Sequence, residues 1–244
     1  MRVPVIEGII DRRILVNYRV DADVLSRVMP APFEPKLIGN LGIAGICLIR
    51  LKAVRPRGFP EFVGISSENA AHRIAVQWKS NGEVQQGVYI PRRDSSSRLN
   101  SFLGGRLFPG LHHYATFNVG ETDEKLRVSL DAIDGSVHLL VEARLAQDLP
   151  PKSIFGSLRR ASLFFEEGSL GYSPTGREGE YDGLELRTVN WRVEPLEVDE
   201  VESSFFENQT LFPEGSVEFD CALLMRGIEH EWHAHQSLYC DVAR

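Results

Sequence analysis

Apolar and polar residues alternate over residues 3–20, a stretch carrying Ile, Val and Tyr. A period of two marks a strand with one buried face. Asp21 stands where an N-cap would, so a short helix is predicted over 22–29, ended by Pro30, Pro32 and Pro35. Residues 37–54 are β-rich and broken by glycines, which fits two strands or one bent strand. After a loop over 55–64 come a strand over 65–78, the turn KSNGE (79–83) and a strand over 84–90, together a hairpin pattern. Between 116 and 146 three strands alternate with tight turns, one at Asp134-Gly135. Residues 153–167 carry an amphipathic helical pattern between Pro150-Pro151 and Gly168. Strand character returns over 184–206, and 213–238 reads as strand or mixed structure. Roughly ten short strands with two or three helices predict a mainly β (α+β) fold, a barrel or curled sheet with peripheral helices. No linker divides the chain, so a single domain over 1–244 is expected.

Composition narrows the function classes. A net charge of −7 argues against nucleic acid or an anionic membrane as partner, since both need basic patches. The 22 arginines far outnumber the five lysines, at 36, 52, 79, 125 and 152. Arginine suits bidentate recognition of carboxylates, though a biased genome would give the same count. Cys47, Cys221 and Cys240 are odd in number and match no metal spacing. They read as reduced thiols of a cytoplasmic protein. The N-terminus, MRVPVIEGIIDRR, has neither the pattern of a signal peptide nor that of a membrane span.

Candidate chemistry concentrates in Gly87–Ala115, where Tyr89, Arg92, Arg93, Arg106, His112 and His113 fall among glycine and proline turns. His112 and His113 are adjacent, so on a strand only one of them faces a given side. Such a histidine can act as acid, base or hydrogen donor. A second candidate is His230-Glu231-Trp232-His233-Ala234-His235. On a helix His230 and His233 share a face; on a strand His233 and His235 do. Two imidazoles hold a metal weakly unless a carboxylate joins them, and a histidine-rich strand end packed around Trp232 explains the spacing equally well. The chain lacks a GxGxxG opening a helix, a P-loop and a GxSxG elbow.

The pieces Glu68-Asn69-Ala70, Gly87-Val88-Tyr89-Ile90-Pro91, Gly105-Arg106-Leu107-Phe108-Pro109 and His112-His113-Tyr114-Ala115 resemble the acetoacetate decarboxylase-like superfamily. Within it the chain most resembles the DUF2071 branch. The resemblance implies a closed or nearly closed β-barrel around a cavity. It implies Glu68, His112 and His113 as catalytic candidates, and Arg106, Tyr89, Arg92 and Arg13 as ligand-binding ones. It also implies a homo-oligomer, for which Phe164-Phe165 and Phe205-Phe206 are candidate contacts. The decarboxylase works through a Schiff-base lysine, activated by a neighbouring lysine and a desolvated pocket. Here that position falls on His112-His113 or on Gly110-Leu111, and no lysine lies between Lys79 and Lys125. The fold carries over; the decarboxylation does not. The expectation is a cavity for a small oxo-acid-like anion, with no cofactor. It would serve a lysine-independent lyase or isomerase. The alternatives are a non-catalytic binding protein, or a metal-dependent enzyme using His230, His233 and His235.

Overall fold

The computed structural model describes residues 4–80, 82–97 and 110–240. The first strand, β1 (Ile6–Asp21), leads into helix α1 (Ala22–Val28). Two short strands, β2 (Glu34–Pro35) and β3 (Leu37–Ile38), precede the long β4 (Leu41–Pro56). A 3-10 turn at Glu61–Val63 is followed by the hairpin β5 (Ile65–Ser80) and β6 (Glu83–Ser95). Then come β7 (His112–Glu121), β8 (Lys125–Ala132) and β9 (His138–Leu145). Helix α2 (Leu158–Glu167) separates them from β10 (Leu170–Pro174), β11 (Glu180–Thr188), β12 (Glu194–Ser203) and β13 (Val217–Tyr239).

Helix α2 is shorter than its apolar pattern. Ser157 caps it by accepting from the Arg160 amide, and residues 153–156 form a turn held by Gly156 at φ +67°. The ambiguous 37–54 run resolves into a two-residue strand, a turn and one long strand. The closing stretch is a single 23-residue strand.

The thirteen strands form one mixed sheet, whose pairings nearly close into a ring. One circuit runs β6-β7-β8-β9-β12-β13-β1-β4-β5 and returns to β6. A second leaves β6 through β10 and β11 to β13, and returns by β1, β4 and β5. Five strands therefore belong to both circuits, and each must bury both of its faces. This is why Ile14, Leu15 and Val16 form an unbroken apolar run, all with no exposed surface. Ile14 and Val16 pack into a first core with Val128, Leu139 and Leu224. Leu15 packs into a second core with Phe155, Phe165 and Met225, closed by α2.

Phe165 and Phe206 are core residues, and Phe164 and Phe205 pack against them. One member of each pair is therefore buried, while Phe164 and Phe205 keep part of their surface. The exposed apolar side chains lie elsewhere, Phe62 most of all at 87% exposure. No described helix is long and apolar enough to cross a membrane.

Candidate functional site

Strand alternation decides which residues meet. A bulge between Ile10 and Arg12 resets the phase of β1, so that Arg12 faces the first core and Arg13 the second. On the second side, between the shared strands and β10, β11 and α2, lies a cavity of about 130 Å³. Its walls are mostly apolar, including Ile49, Ile90, Leu186, Trp191, Trp232 and Phe165. Into these walls are set Arg13, Arg73, Arg93, Cys47, Asn69 and His112.

The three guanidiniums have neutral partners. Arg13 donates from Nε to Cys47 Sγ at 3.1 Å, and its guanidinium carbon lies 5.8 Å from the centre of the Trp191 ring. Arg73 donates to Asn17 Oδ1 and stacks 4.8 Å over Phe165, while its buried Nε has no partner among the described residues. Arg93 donates from Nε to Ser173 Oγ at 2.9 Å. Burial pulls both Arg73 and Arg93 down to about 10, still charged at neutral pH. Arg93 is half-buried and borders the cavity.

No carboxylate among the described residues pairs with any of the three. Asp94 is the one acid among the described residues that borders the cavity, and it is fully buried against Arg92, at 2.7 Å from its Nη2. Uncompensated buried cations are costly, and a bound anion relieves that cost.

His112 completes the wall. It pairs with Arg93 across the parallel β6–β7 ladder, and its Nδ1 lies 3.3 Å from the Gly110 carbonyl oxygen. A carbonyl only accepts, so Nδ1 carries the proton and Nε2 is the basic nitrogen. Burial, and then Arg93, push its pKa down to about 4, so the ring is neutral at pH 7.

Of the residues singled out in the sequence, the structure brings Arg13, Arg93 and His112 together, and Glu68, Tyr89, Arg92 and His113 lie elsewhere. Glu68 neighbours Asn69 on β5, and Asn69 takes the cavity side. Glu68 points to the first side instead, at 2.6 Å from both Arg12 and Arg50, in a network completed by Glu121 and Arg226. Tyr89 lies in an aromatic cluster with Phe33 and Tyr181, where burial raises its pKa to about 12. Arg92 is held by Asp94 and Asp134, and His113 by Asp134 at 3.2 Å, away from the cavity. Arg106 lies outside the described residues.

The C-terminal histidines lie on β13, not on a helix. His230 is buried against Trp232, His233 bonds Glu231 at 2.7 Å, and His235 meets the Tyr172 hydroxyl at 3.2 Å. Among the described residues, no group of three His, Cys, Asp or Glu is placed to hold a metal ion.

Cys47 and Arg73 escaped the sequence reading as site residues, and Arg93 was noted there without a role. Only strand register reveals them. Cys47 pairs with Ala71, Ala71 with Arg93, and Arg93 with His112, one row across β4, β5, β6 and β7.

A nearly closed mainly β sheet around a small cavity defines an acetoacetate decarboxylase-like fold. Acetoacetate decarboxylase from Legionella pneumophila subsp. pneumophila str. Philadelphia 1 is similar at TM-score 0.62 and 12% identity, over 98% of this chain and 88% of that one. The enduracididine biosynthesis enzyme MppR complexed with pyruvate is similar at TM-score 0.59 and 10% identity, over 100% and 93%. An acetoacetate decarboxylase-like enzyme from Sphingomonas wittichii RW1 gives TM-score 0.58 and 10% identity, over 99% and 94%. At such identities the likeness is one of fold. No curated protein matches the chain. Residues 10–227 match the model of DUF2071, an uncharacterised conserved protein family, and the chain belongs to that family.

Proposed function

We propose that the cavity binds a small organic anion of the oxo-acid type, with its carboxylate on Arg93 and Arg73 and its body against the apolar wall. The supporting observation is the set of three guanidiniums, Arg13, Arg73 and Arg93, that border one cavity without a carboxylate partner among the described residues. A planar guanidinium fork matches a carboxylate, and low surrounding polarity strengthens the pairing. The MppR neighbour described as a pyruvate complex adds support by fold analogy alone.

The chemistry we assign to the site is proton transfer at the bound anion, in the class of a lyase or isomerase, with His112 Nε2 as the proton carrier. An anion beside Arg93 offsets the field that lowers the His112 pKa, so binding raises its basicity toward the useful range. The second reading is a binding protein without turnover. It is favoured by the low pKa of His112, which leaves the free protein with a weak base.

Calorimetric titration with 2-oxo and 3-oxo acids tests the binding. Wild type should bind at least one acid and ignore the neutral ketone of equal size. Arg93→Met should weaken that affinity by about tenfold or more, a loss of roughly 1.4 kcal/mol. Arg93→Lys should recover only part of it. If no acid binds, or if Arg93→Met binds as well as wild type, the cavity is not an anion site.

A further inference from the structure

We propose that Cys47 is the covalent-capture residue of this cavity, its thiol adding to the carbonyl carbon of a 2-oxo acid whose carboxylate Arg93 and Arg73 hold. The proposal rests on the anion-binding reading above and adds a bond to it.

Register places the groups. Cys47, Ala71 and Arg93 stand side by side on three neighbouring strands. Strands are about 4.8 Å apart, so Cys47 and Arg93 are rooted roughly 10 Å from each other. Between them Ala71 presents only a methyl group, which leaves the floor of the cavity open there. Arg93 anchors its Nε on Ser173 Oγ at 2.9 Å and borders the cavity with Ala71 and Cys47, so a carboxylate held on its fork shares that space. In a 2-oxo acid the carbonyl carbon is bonded directly to the carboxylate carbon, so capture requires only that the acid turn its ketone toward Cys47, which lines the same cavity.

Two further features point to a ligand beside this thiol. Arg73 is only 7% exposed, borders the same cavity, and its Nε has no partner among the described residues. Arg13 donates to Cys47 Sγ at 3.1 Å, which orients a sulfur lone pair and adds positive charge beside it. The other two thiols lack these features. Cys221 has no exposed surface and, like Cys240, does not border the cavity.

The step balances without another reactant. The sulfur–carbon bond forms as the π bond of the ketone opens, and the proton leaving sulfur ends on the new hydroxyl oxygen. The product is a hemithioketal, and its formation is reversible.

Pyruvate labelled with carbon-13 at the ketone supplies the direct test. With wild type, carbon NMR should show the ketone signal partly replaced by that of a tetrahedral carbon bonded to sulfur. Cys47→Ala should show the ketone only. A parallel alkylation compares iodoacetate with neutral iodoacetamide, with peptide mass spectrometry locating the adduct. There the sulfur–carbon bond forms as iodide leaves with the bonding pair, and the thiol proton passes to buffer. Cys47 should prefer iodoacetate by about tenfold, equivalent to one good ion pair, and pyruvate should slow the reaction. Cys240 should show no such preference.

If pyruvate binds wild type by calorimetry while no tetrahedral carbon appears, covalent capture is overturned and anion binding stands. If Cys47 resists iodoacetate or reacts with both reagents alike, the directed approach to sulfur is overturned. If pyruvate fails to bind, both proposals fall for this acid.

Discussion

Neighbouring residues on the shared strands serve opposite sides of the sheet, and their fates diverge accordingly. Arg12 is 1% exposed and bonded to Glu68 and Glu121, whereas Arg13 one position on faces a cavity and pairs with no acid among the described residues. His72 shows the same constraint in an apolar setting. It has no exposed surface, stacks 4.5 Å from Phe205, and neither ring nitrogen has a partner among the described residues. Burial, and then Arg92, push its pKa down to about 3. Its unfolded value is about 6.5. Between these values the unfolded chain binds more protons than the native one, so stability is present above about 6.5 and falls as pH drops through the window. His112 and His230, each lowered to about 4, act in the same direction. His72→Phe keeps the stack and removes one titration. Urea unfolding between pH 6.5 and 4.5 should show a slope shallower by up to about 1.4 kcal/mol per pH unit. An unchanged slope would mean that His72 is protonated in the native state.

At the scale of elements, the cavity exists because β10 runs parallel to β6 at close range. Gly171 pairs with Val88 and Tyr172 with Tyr89. A Cβ on Gly87 would fall on the Leu170 carbonyl oxygen, which is backbone and has no room to retreat. Gly87→Ala should therefore push β10 from β6 and destabilise the protein by about 1–3 kcal/mol, the usual range for overpacking. Gly176 is the control, since a Cβ added there would meet nothing within 4 Å and its φ is not positive. Alanine there should leave the unfolding midpoint unchanged or raise it slightly, because it restricts the unfolded chain. Equal effects at the two sites would mean that the β6–β10 approach does not depend on the glycine.

For the whole molecule, fold and chemistry separate. The chain shares its architecture with acetoacetate decarboxylase at TM-score 0.62, yet none of its five lysines borders the cavity. A Schiff base needs a primary amine, and neither imidazole nor thiol supplies one. Borohydride reduction in the presence of acetoacetate should leave the intact mass unchanged. A stoichiometric reduced adduct would show that a lysine reaches the cavity in solution.

Residue order by itself determined the strand-rich class, the helix after Asp21, the hairpin at residues 79–83 and the absence of a Schiff-base lysine from the Gly87–Ala115 stretch. Each of these rests on local period, turn chemistry or residue identity. Arg13 and His112 were also legible as candidates, through family resemblance. The site as a whole was not. Whether Glu68 or Asn69 meets the cavity depends on strand phase, and a one-residue bulge near Ile10 sets which side Arg13 takes. Cys47, Ala71, Arg93 and His112 are scattered along the chain and become one row only through three strand pairings. Two sheet circuits sharing five strands give each shared strand two buried faces, so apolar pattern cannot say which face lines a site. Tertiary pairing made that choice, because only there do the faces acquire different neighbours.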